Sequence, residues 1–210
     1  MTGVPGYNPV TDRCFFCRSR DLTNHSRAVY WQTFALPFVK CRNCGLIFSN
    51  PMPDMKTVIK GNRALTLYHG SRGTLSQYRG GKIFAQVLNR LKKSGILLDI
   101  GCAEGFFLLG VAENSGWKAE GIEIVPSAVD FANNRLGVKV YQSTLCEMEG
   151  LEERYDFVRM NNVIEHVQDP VSFLEKACRL LKPGGLIYCS TPNGFQDGQR
   201  LRAANERGII

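Results

Sequence analysis

A glycine-containing turn at the centre of the chain has residue types suited to binding a nucleoside. The run Leu98–Leu108 passes from an apolar stretch through Gly101 and Gly105 into a second apolar stretch, which predicts a strand, a tight turn and a helix. Glycine lets the backbone approach a ligand where a Cβ would collide, and the free N–H groups of a helix start point at whatever lies there. We therefore expect a nucleoside-bearing cofactor at this turn.

Acidic residues around the turn argue against a dinucleotide. Glu123 lies 22 residues after Gly101, at the predicted end of the next strand, where a carboxylate can accept hydrogen bonds from both hydroxyls of a ribose. The glycine spacing departs from the G-x-G-x-x-G pattern of dinucleotide sites, and the charge of Glu104 would oppose a pyrophosphate. A cofactor without phosphate, with a cationic or amino acid end, fits this acidic rim better.

Four cysteines near the N-terminus are spaced like metal ligands. They form two C-x2-C pairs, Cys14, Cys17, Cys41 and Cys44. This is the spacing at which the thiolates of two knuckles reach one tetrahedral zinc ion. Gly45 after the second pair suits a left-handed turn, whereas Arg18 follows the first pair. Four thiolates leave no open coordination position, so the zinc would be structural; redox-active thiols are the alternative.

Composition indicates a folded chain. Its 210 residues, 44% of them hydrophobic, are enough for one well-buried domain and a small module. No apolar run approaches the ~20 residues of a membrane span, and the N-terminus lacks the apolar core of a signal peptide. We therefore expect a cytoplasmic protein without a membrane partner. The cysteines outside the two pairs are expected to be small buried residues: Cys102, Cys146, Cys178 and Cys189.

Charge is distributed unevenly along the chain. Residues 1–95 hold 15 Lys/Arg and 3 Asp/Glu, a balance of +12, whereas residues 96–210 hold 11 and 16, a balance of −5. A basic first half indicates an anionic partner or substrate. A solvated surface without such a partner is the alternative.

Apolar patterning after the cysteines predicts alternating strands and helices. The predicted strands cover residues 96–100, 118–124, 138–142, 157–161 and 186–190. The predicted helices begin at about Leu75 (with Ile83, Phe84, Val87, Leu88 and Leu91 on one face), at Phe106, at Pro126 and at Pro170. Such alternation is typical of an α/β fold in which helices cover both faces of a doubly wound parallel sheet.

The patterns divide the chain into three segments. Residues 1–50 are expected to form the zinc-ribbon module, residues 51–74 a linker, and residues 75–210 the cofactor-binding domain. In a doubly wound sheet the ligand lies at the carboxyl ends of the strands, where strand order reverses. Both Gly101 and Glu123 belong to that edge of the predicted sheet.

Four motifs in the second half resemble those of class I S-adenosylmethionine-dependent methyltransferases. They are Leu97–Gly105, Gly121–Glu123, Asn162–Pro170 and Leu180–Gly185, and they follow the order and spacing of that family across residues 95–193. The resemblance implies a Rossmann-like fold of the methyltransferase type and S-adenosylmethionine as the cofactor.

The resemblance also implies which residues surround the cofactor. They are Asp99, Gly101, Ala103 and Gly105 at its methionine and ribose end, Glu123 at the ribose hydroxyls, Ile124, Thr144 and Leu145 at the adenine, and Asn161 facing the methyl group. The family often has an aspartate where this chain has Thr144. The threonine hydroxyl can still form a hydrogen bond there, although a weaker one.

His166 and Glu165 are the candidate catalytic residues. The sulfonium of the cofactor is already activated, so the protein must chiefly align the acceptor and exclude water. A hydroxyl or carbon acceptor also needs a base, and His166, just after the fourth strand, could titrate near neutrality. Glu165 would orient His166 or bind a divalent ion with it. The alternative is that His166 only packs and forms hydrogen bonds around the cofactor.

The second cysteine pair and the residues after it, Cys41–Pro53, resemble the zinc ribbon of methyltransferases that act on sugars and other small metabolites. We therefore predict methyl transfer to a small-molecule acceptor, a sugar or nucleotide-sugar, and the basic first half suits an anionic one. Two alternatives stay open. One is an RNA methyltransferase whose basic ribbon binds the substrate, and the other is a non-catalytic cofactor-binding or scaffold protein.

Complete members of that family add an antiparallel hairpin after the fifth strand. Here 20 residues follow Ser190, too few for the hairpin, so the fifth strand is expected at an exposed edge of the sheet. Either the chain is a fragment of a longer one, or an oligomer or another partner covers this edge.

Overall fold

The computed structural model describes residues 6–30, 34–54, 57 and 71–192. The chain divides into two compact units, one of Met1–Gly61 with Pro192–Ile210 and one of Asn62–Thr191. Most of the predicted linker, residues 51–74, lies outside the described residues, so the predicted domain boundaries stay predictions.

The first unit is built on a small antiparallel sheet. Its strands, in spatial order, are Leu22–Tyr30 (β1), Phe34–Cys41 (β2) and Ile47–Ser49 (β3). Among the described residues its core consists of Cys14, Val39, Cys41 and Phe48. The ring of Phe15 lies against that of Phe48, with the centroids 4.7 Å apart. So small a core needs additional stabilisation, which a metal bound by the cysteines would provide.

The second unit contains the predicted parallel sheet. Its strands are Ile96–Ile100 (β4), Lys118–Glu123 (β5), Lys139–Gln142 (β6), Tyr155–Asn161 (β7) and Leu181–Ser190 (β8). They pair in the order β6-β5-β4-β7-β8, and every pair is parallel. The chain runs outward from β4 to β6 and then returns to β7 on the other side of β4. Strand order therefore reverses between β4 and β7, where such folds bind ligands.

The described residues form four α-helices around this sheet. They are Ser71–Leu91 (α1), Phe106–Asn114 (α2), Pro126–Phe131 (α3, continued by a π-helical turn over Ala132–Leu136) and Pro170–Arg179 (α4). Local signals set their ends as predicted. Pro126 begins α3, Gly137 ends it with φ 67°, and the Asp169 carboxylate accepts the Ser172 N–H at the start of α4.

Core side chains lie on both faces of the sheet, which confirms the doubly wound architecture. Leu97 and Phe157 belong to the cluster that includes α2, whereas their neighbours Leu98 and Val158 belong to the cluster that includes Ala177 of α4. Successive strand residues point to opposite faces, so each central strand is buried on both sides, as parallel strands require.

The face that helix α1 buries is rotated from the predicted one: Phe84 and Leu88 of the predicted set pack into the core, but its other members do not. Ala85 and Leu88 are fully buried, whereas Ile83, Val87 and Leu91 are 64%, 44% and 52% exposed. A close crossing of α1 and α2 explains this rotation. A Cβ at Gly81 of α1 would collide with the carbonyl oxygen of Phe107, and a Cβ at Gly110 of α2 would collide with that of Tyr78. The glycines let the two backbones touch, which turns Gly81 and Ala85 toward α2 and leaves Ile83, Val87 and Leu91 on the outer side.

Strand β8 begins earlier than predicted. Leu181 pairs with Tyr155 and Leu186 with Phe157, so five residue steps in β8 lie opposite two in β7. The Pro183-Gly184-Gly185 run occupies the resulting bulge rather than a separate turn. Leu186, Ile187 and Tyr188 are 46%, 37% and 41% exposed, as expected for a strand at the edge of the sheet.

Cysteines outside the two N-terminal pairs do not share one environment. Cys102 is buried as expected, but the other three are exposed, and the expectation of burial is wrong for them: Cys146, Cys178 and Cys189. Each lies near a sheet edge or on the outer side of a helix, which sequence pattern alone did not reveal. Within the described part of the chain, no helix combines the length and apolarity needed to cross a bilayer.

Asp156 joins four elements at the amino end of the sheet. Its carboxylate accepts hydrogen bonds from Lys92 Nζ at 2.7 Å, the Ile96 N–H at 2.9 Å and Lys182 Nζ at 2.8 Å. Burial alone would raise the pKa of Asp156, but the hydrogen bonds from the two lysines and the N–H outweigh it and lower the pKa to about 2. The ionised carboxylate therefore stabilises the fold.

Asp156→Asn should lower the free energy of unfolding by about 1–2 kcal/mol at pH 7, because it removes the negative charge shared by two lysines and leaves one acceptor oxygen for three donors. Since the native pKa of Asp156 is depressed, its contribution is present above pH ~4 and is lost as the pH falls toward ~2. Urea unfolding followed by Trp117 fluorescence, in a Trp31→Phe background, measures the difference. The exposed Asp130→Asn is the control, and a difference independent of pH would contradict this role.

Candidate cofactor site and metal centre

The loop between β4 and α2 has an unusual backbone. Three of its residues have positive φ, 70° at Gly101, 50° at Ala103 and 81° at Gly105. The N–H groups of Gly101 and Cys102 donate to the carbonyl oxygen of Ile122 on β5, so the loop is held against the neighbouring strand. Three left-handed residues within five turn the chain sharply, and the positive φ of Ala103 is a local strain that surrounding contacts must hold.

The glycines of this loop are required by protein packing. A Cβ at Gly101 would lie 2.7 Å from Val163 Cγ2, and one at Gly105 would lie 2.7 Å from Val138 Cγ2. The close approach to a ligand, for which the sequence pattern suggested glycine, is therefore only one of two reasons for these residues. Val163 stands just after β7, so the Gly101 contact also brings the turn that carries His166 next to the loop.

Glu123 closes the loop from the β5 side. Oε2 accepts the Ala103 N–H at 3.0 Å, and Oε1 accepts the N–H groups of Ile124 and Val125 at 2.7 and 2.9 Å. A carboxylate offers about four acceptor positions, so one position stays available for a hydroxyl. The acid predicted to hold the ribose therefore also fixes the shape of the loop.

Two carboxylate oxygens near the loop lack a hydrogen-bond partner among the described residues. They are Asp99 Oδ2 and Glu104 Oε2, and both atoms are buried. An unpaired buried acceptor destabilises a fold, and a ligand that brings hydrogen-bond donors or positive charge would satisfy it. S-adenosylmethionine, with its ammonium group and sulfonium, fits this donor-poor and acid-rich site. A phosphate would not.

The predicted adenine side is formed by the connection after β6. The Ser143 N–H donates to the carbonyl oxygen of Glu123. This connection therefore lies beside the residue predicted to bind the ribose hydroxyls. The N–H and hydroxyl of Thr144 both donate to Glu147 Oε2, at 2.8 and 2.9 Å. The hydroxyl proton of Thr144 is therefore already used, and its oxygen has only acceptor capacity left for the predicted adenine contact. Leu145 is 1% exposed, so its side chain belongs to the core, and Ile124 is half-buried.

His166 and Glu165 lie in a single helical turn, Ile164–His166, that follows β7 and its last residue Asn161. Burial lowers the pKa of His166, and the neighbouring Glu165 partly opposes this shift. The imidazole is therefore neutral at pH 7 and able to accept a proton. Glu165 Oε2 accepts the Thr191 hydroxyl at 3.0 Å, which ties this carboxylate to the end of β8.

One residue at this site was missed by sequence reasoning. Arg159, in the middle of β7, donates from Nη1 to Asp99 Oδ1 at 2.6 Å. Its guanidinium lies 3.7 Å from the centroid of the Phe107 ring. The signal was an arginine between the apolar residues Val158 and Met160 of a predicted strand, where a charge is rarely placed without a partner.

The four N-terminal cysteines come together as predicted. All four sulfur atoms lie within 4.8 Å of one another, with 3.6 Å between Cys14 and Cys44 and 3.5 Å between Cys17 and Cys41. Thiolates around a tetrahedral zinc are about 3.8 Å apart, so the cluster has the dimensions of such a site.

Both cysteine pairs adopt the same turn. The Arg18 N–H donates to the carbonyl oxygen of Cys14, and the Gly45 N–H donates to that of Cys41. Arg18 has φ 61° and Gly45 has φ 80°. The first pair therefore forms a regular knuckle although an arginine occupies the left-handed position that favours glycine.

Several known proteins resemble this chain. It is 37% identical over 102 residues to the ubiquinone biosynthesis O-methyltransferase of Cereibacter sphaeroides, a match that covers 46% of this chain and 41% of that protein. The protein of the same name from Nitrosospira multiformis is 37% identical over 103 residues. That match covers 46% of this chain and 43% of the relative. The matched region thus spans about two-fifths of the length of these relatives.

Solved structures share the fold. One is described as an S-adenosyl-L-methionine-dependent methyltransferase from Methanococcus maripaludis, with a TM-score of 0.54 at 16% identity over 71% of this chain and 70% of that one. Another, from Galdieria sulphuraria, is described as a sarcosine dimethylglycine methyltransferase. Its TM-score is 0.50 at 20% identity, and the match covers 62% of this chain and 53% of that one. At these identities the likeness concerns the fold alone.

The model of a methyltransferase domain family matches residues 75–208. This range contains the parallel sheet, the loop after β4 and the turn that carries His166. Together with the reversed strand order and the acid-rich loop, the match shows that the chain belongs to the methyltransferase domain family.

Proposed function

We propose that this chain binds S-adenosylmethionine at the loop after β4 and transfers its methyl group to a hydroxyl of a small molecule, a sugar or nucleotide-sugar. The observation that carries the proposal is the pair of carboxylates that flank the loop. Asp99 leaves one buried oxygen unpaired, and Glu123 keeps one acceptor position while holding the loop. The O-methyltransferase relatives support a hydroxyl acceptor, and the resemblance of the cysteine region to ribbons of sugar-modifying enzymes supports a sugar.

Some residues of the proposed site bind the cofactor, and others act in proton transfer. The cofactor, when bound, supplies a methyl group already activated by its sulfonium. Asp99 accepts from the ammonium of its amino-acid end, Glu123 from a ribose hydroxyl, and Thr144 from the adenine amino group. His166, neutral at pH 7, takes the proton of the acceptor hydroxyl, and Asn161 at the end of β7 faces the reacting centre. Glu165 orients His166.

The cysteine cluster is proposed to hold one structural zinc ion through Cys14, Cys17, Cys41 and Cys44. The sulfur separations and the two matched turns support this assignment. A metal bound there would stabilise the first unit, whose core among the described residues contains only a few buried apolar side chains.

Titration with S-adenosylhomocysteine, followed by an acceptor screen with a labelled methyl donor, tests the main proposal. Methyl transfer to a sugar or nucleotide-sugar supports it. Binding of bulk RNA that falls steeply with salt, accompanied by RNA methylation, would favour the nucleic-acid alternative. Cofactor binding without transfer to any acceptor would favour a non-catalytic protein.

Glu123→Gln should weaken the binding of S-adenosylhomocysteine at least about 10-fold, because the amide retains one acceptor oxygen for both the loop and the ribose. Isothermal titration calorimetry measures the change. The exposed Glu149→Gln is the matched control and should leave the affinity within twofold. An unchanged affinity in Glu123→Gln would remove this residue from the site.

His166→Ala should lower kcat about 100-fold or more and leave the affinity for S-adenosylhomocysteine within twofold. Because burial lowers the pKa of His166, the wild-type rate should be level from pH 7 to 8.5 and fall only below about pH 6.5. Glu165→Gln should reduce kcat less than His166→Ala does. Near-normal turnover of His166→Ala would show that His166 takes no part in proton transfer and only packs around the cofactor.

Purified protein under reducing conditions should contain about one zinc per chain, as measured by atomic absorption. Cys41→Ser should lose the metal because Cys41 is fully buried within the cluster. Cys178→Ser, on the exposed side of α4, should keep it. Stoichiometric disulfide formation in metal-free protein would instead support redox-active thiols.

A further inference from the structure

Arg159 occupies a position where a charge is unexpected. It lies in β7, in register with Asp99 on β4 and with Tyr188 on β8. Its side chain is only 14% exposed, and Val158 and Met160 beside it in sequence are fully buried. Desolvating a guanidinium is costly unless a partner compensates it. A fold that only needed to fill this space could use an apolar residue.

The contacts of Arg159 join the two ends of the cofactor loop. On one side, its Nη1 donates to Oδ1 of Asp99, which stands two residues before Gly101. On the other side, its guanidinium stacks on the ring of Phe107, the second residue of α2. The side chain therefore touches the strand that enters the loop and the helix that leaves it.

Arg159 opposes the effect of burial on Asp99. Burial raises the pKa of Asp99 above its ordinary value, and the charge and hydrogen bond of Arg159 limit this rise. The other titratable groups that act on Asp99 are Glu123 at the end of β5 and the buried thiol of Cys102 in the loop. Neither of them favours the ionised carboxylate. Among the described residues, Arg159 is the cation that does.

We propose that Arg159 is a positioning residue for the cofactor: by pairing with Oδ1, it keeps Asp99 ionised and leaves Oδ2 to accept from the ammonium of the amino-acid end. This inference rests on the proposed function. It accounts for both the buried cation and the unpaired buried oxygen of Asp99. It also predicts that Arg159 affects recognition of one end of the cofactor and not of the nucleoside.

Two probes separate the ends of the cofactor. S-adenosylhomocysteine carries the amino-acid end, and 5′-methylthioadenosine carries the same nucleoside without it. Arg159→Leu should weaken the binding of S-adenosylhomocysteine at least 10-fold at pH 7. It should leave the affinity for 5′-methylthioadenosine within twofold of the wild-type value. Between pH 6 and 8.5 the affinity of Arg159→Leu for S-adenosylhomocysteine should rise with pH, as Asp99 regains its charge, whereas that of the wild type should stay level.

Four further variants sharpen the test. Arg159→Lys, which retains the charge, should restore most of the affinity and the level pH profile. Asp99→Asn should weaken S-adenosylhomocysteine at every pH, and adding Arg159→Leu to it should cause no further loss. If Arg159→Leu does not fold, Arg159→Gln, which is polar and uncharged, provides the same comparison.

The outcomes distinguish the two proposals. Equal weakening of both probes by the Arg159 variants would show a merely structural role and overturn the inference, and so would an unchanged affinity for S-adenosylhomocysteine. Wild-type protein that binds neither probe would overturn the proposed function itself, and the inference with it. Selective, pH-dependent loss of S-adenosylhomocysteine supports both.

Discussion

The loop after β4 depends on the carboxylate of Glu123. That group accepts hydrogen bonds from the N–H groups of Ala103 in the loop and of Ile124 and Val125 after β5. It therefore fixes the positive-φ backbone and joins the connection after β4 to the connection after β5. Because the N–H of Ala103 already points at Glu123, it is not free for an anion. The same bond that shapes the loop therefore turns the site away from phosphates and toward hydroxyl and ammonium donors.

Negative charge around the loop is the second constraint. Asp99 is almost fully buried, and both this burial and the nearby charge of Glu123 raise its pKa. Arg159 offsets part of this effect with a single hydrogen bond and leaves another carboxylate oxygen open. A ligand with a cationic end would neutralise more of this negative charge. Binding of such a ligand would therefore stabilise this region of the fold.

Packing away from the loop also sets its geometry. Gly81 and Gly110 allow α1 to lie directly against α2, and Phe84 of α1 packs edge-on against Phe107 with 5.5 Å between the ring centroids. Phe107 in turn lies under the guanidinium of Arg159. The close helix crossing thus helps to position the cation that acts on Asp99.

Sequence alone determined the features that depend on neighbouring residues. Pro126 and Asp169 fix where helices begin, because each signal acts within one turn of chain. Strand–helix alternation and the two C-x2-C pairs predict a parallel sheet and a shared metal site, because each is a repeated local pattern. Tertiary structure decided which face of α1 is buried, how β8 bulges and what Arg159 touches. These outcomes depend on residues distant in sequence: Gly81 meets α2 across 29 positions at Gly110, and Arg159 pairs with Asp99 across 60. No repeated pattern in the sequence marks these residues as partners.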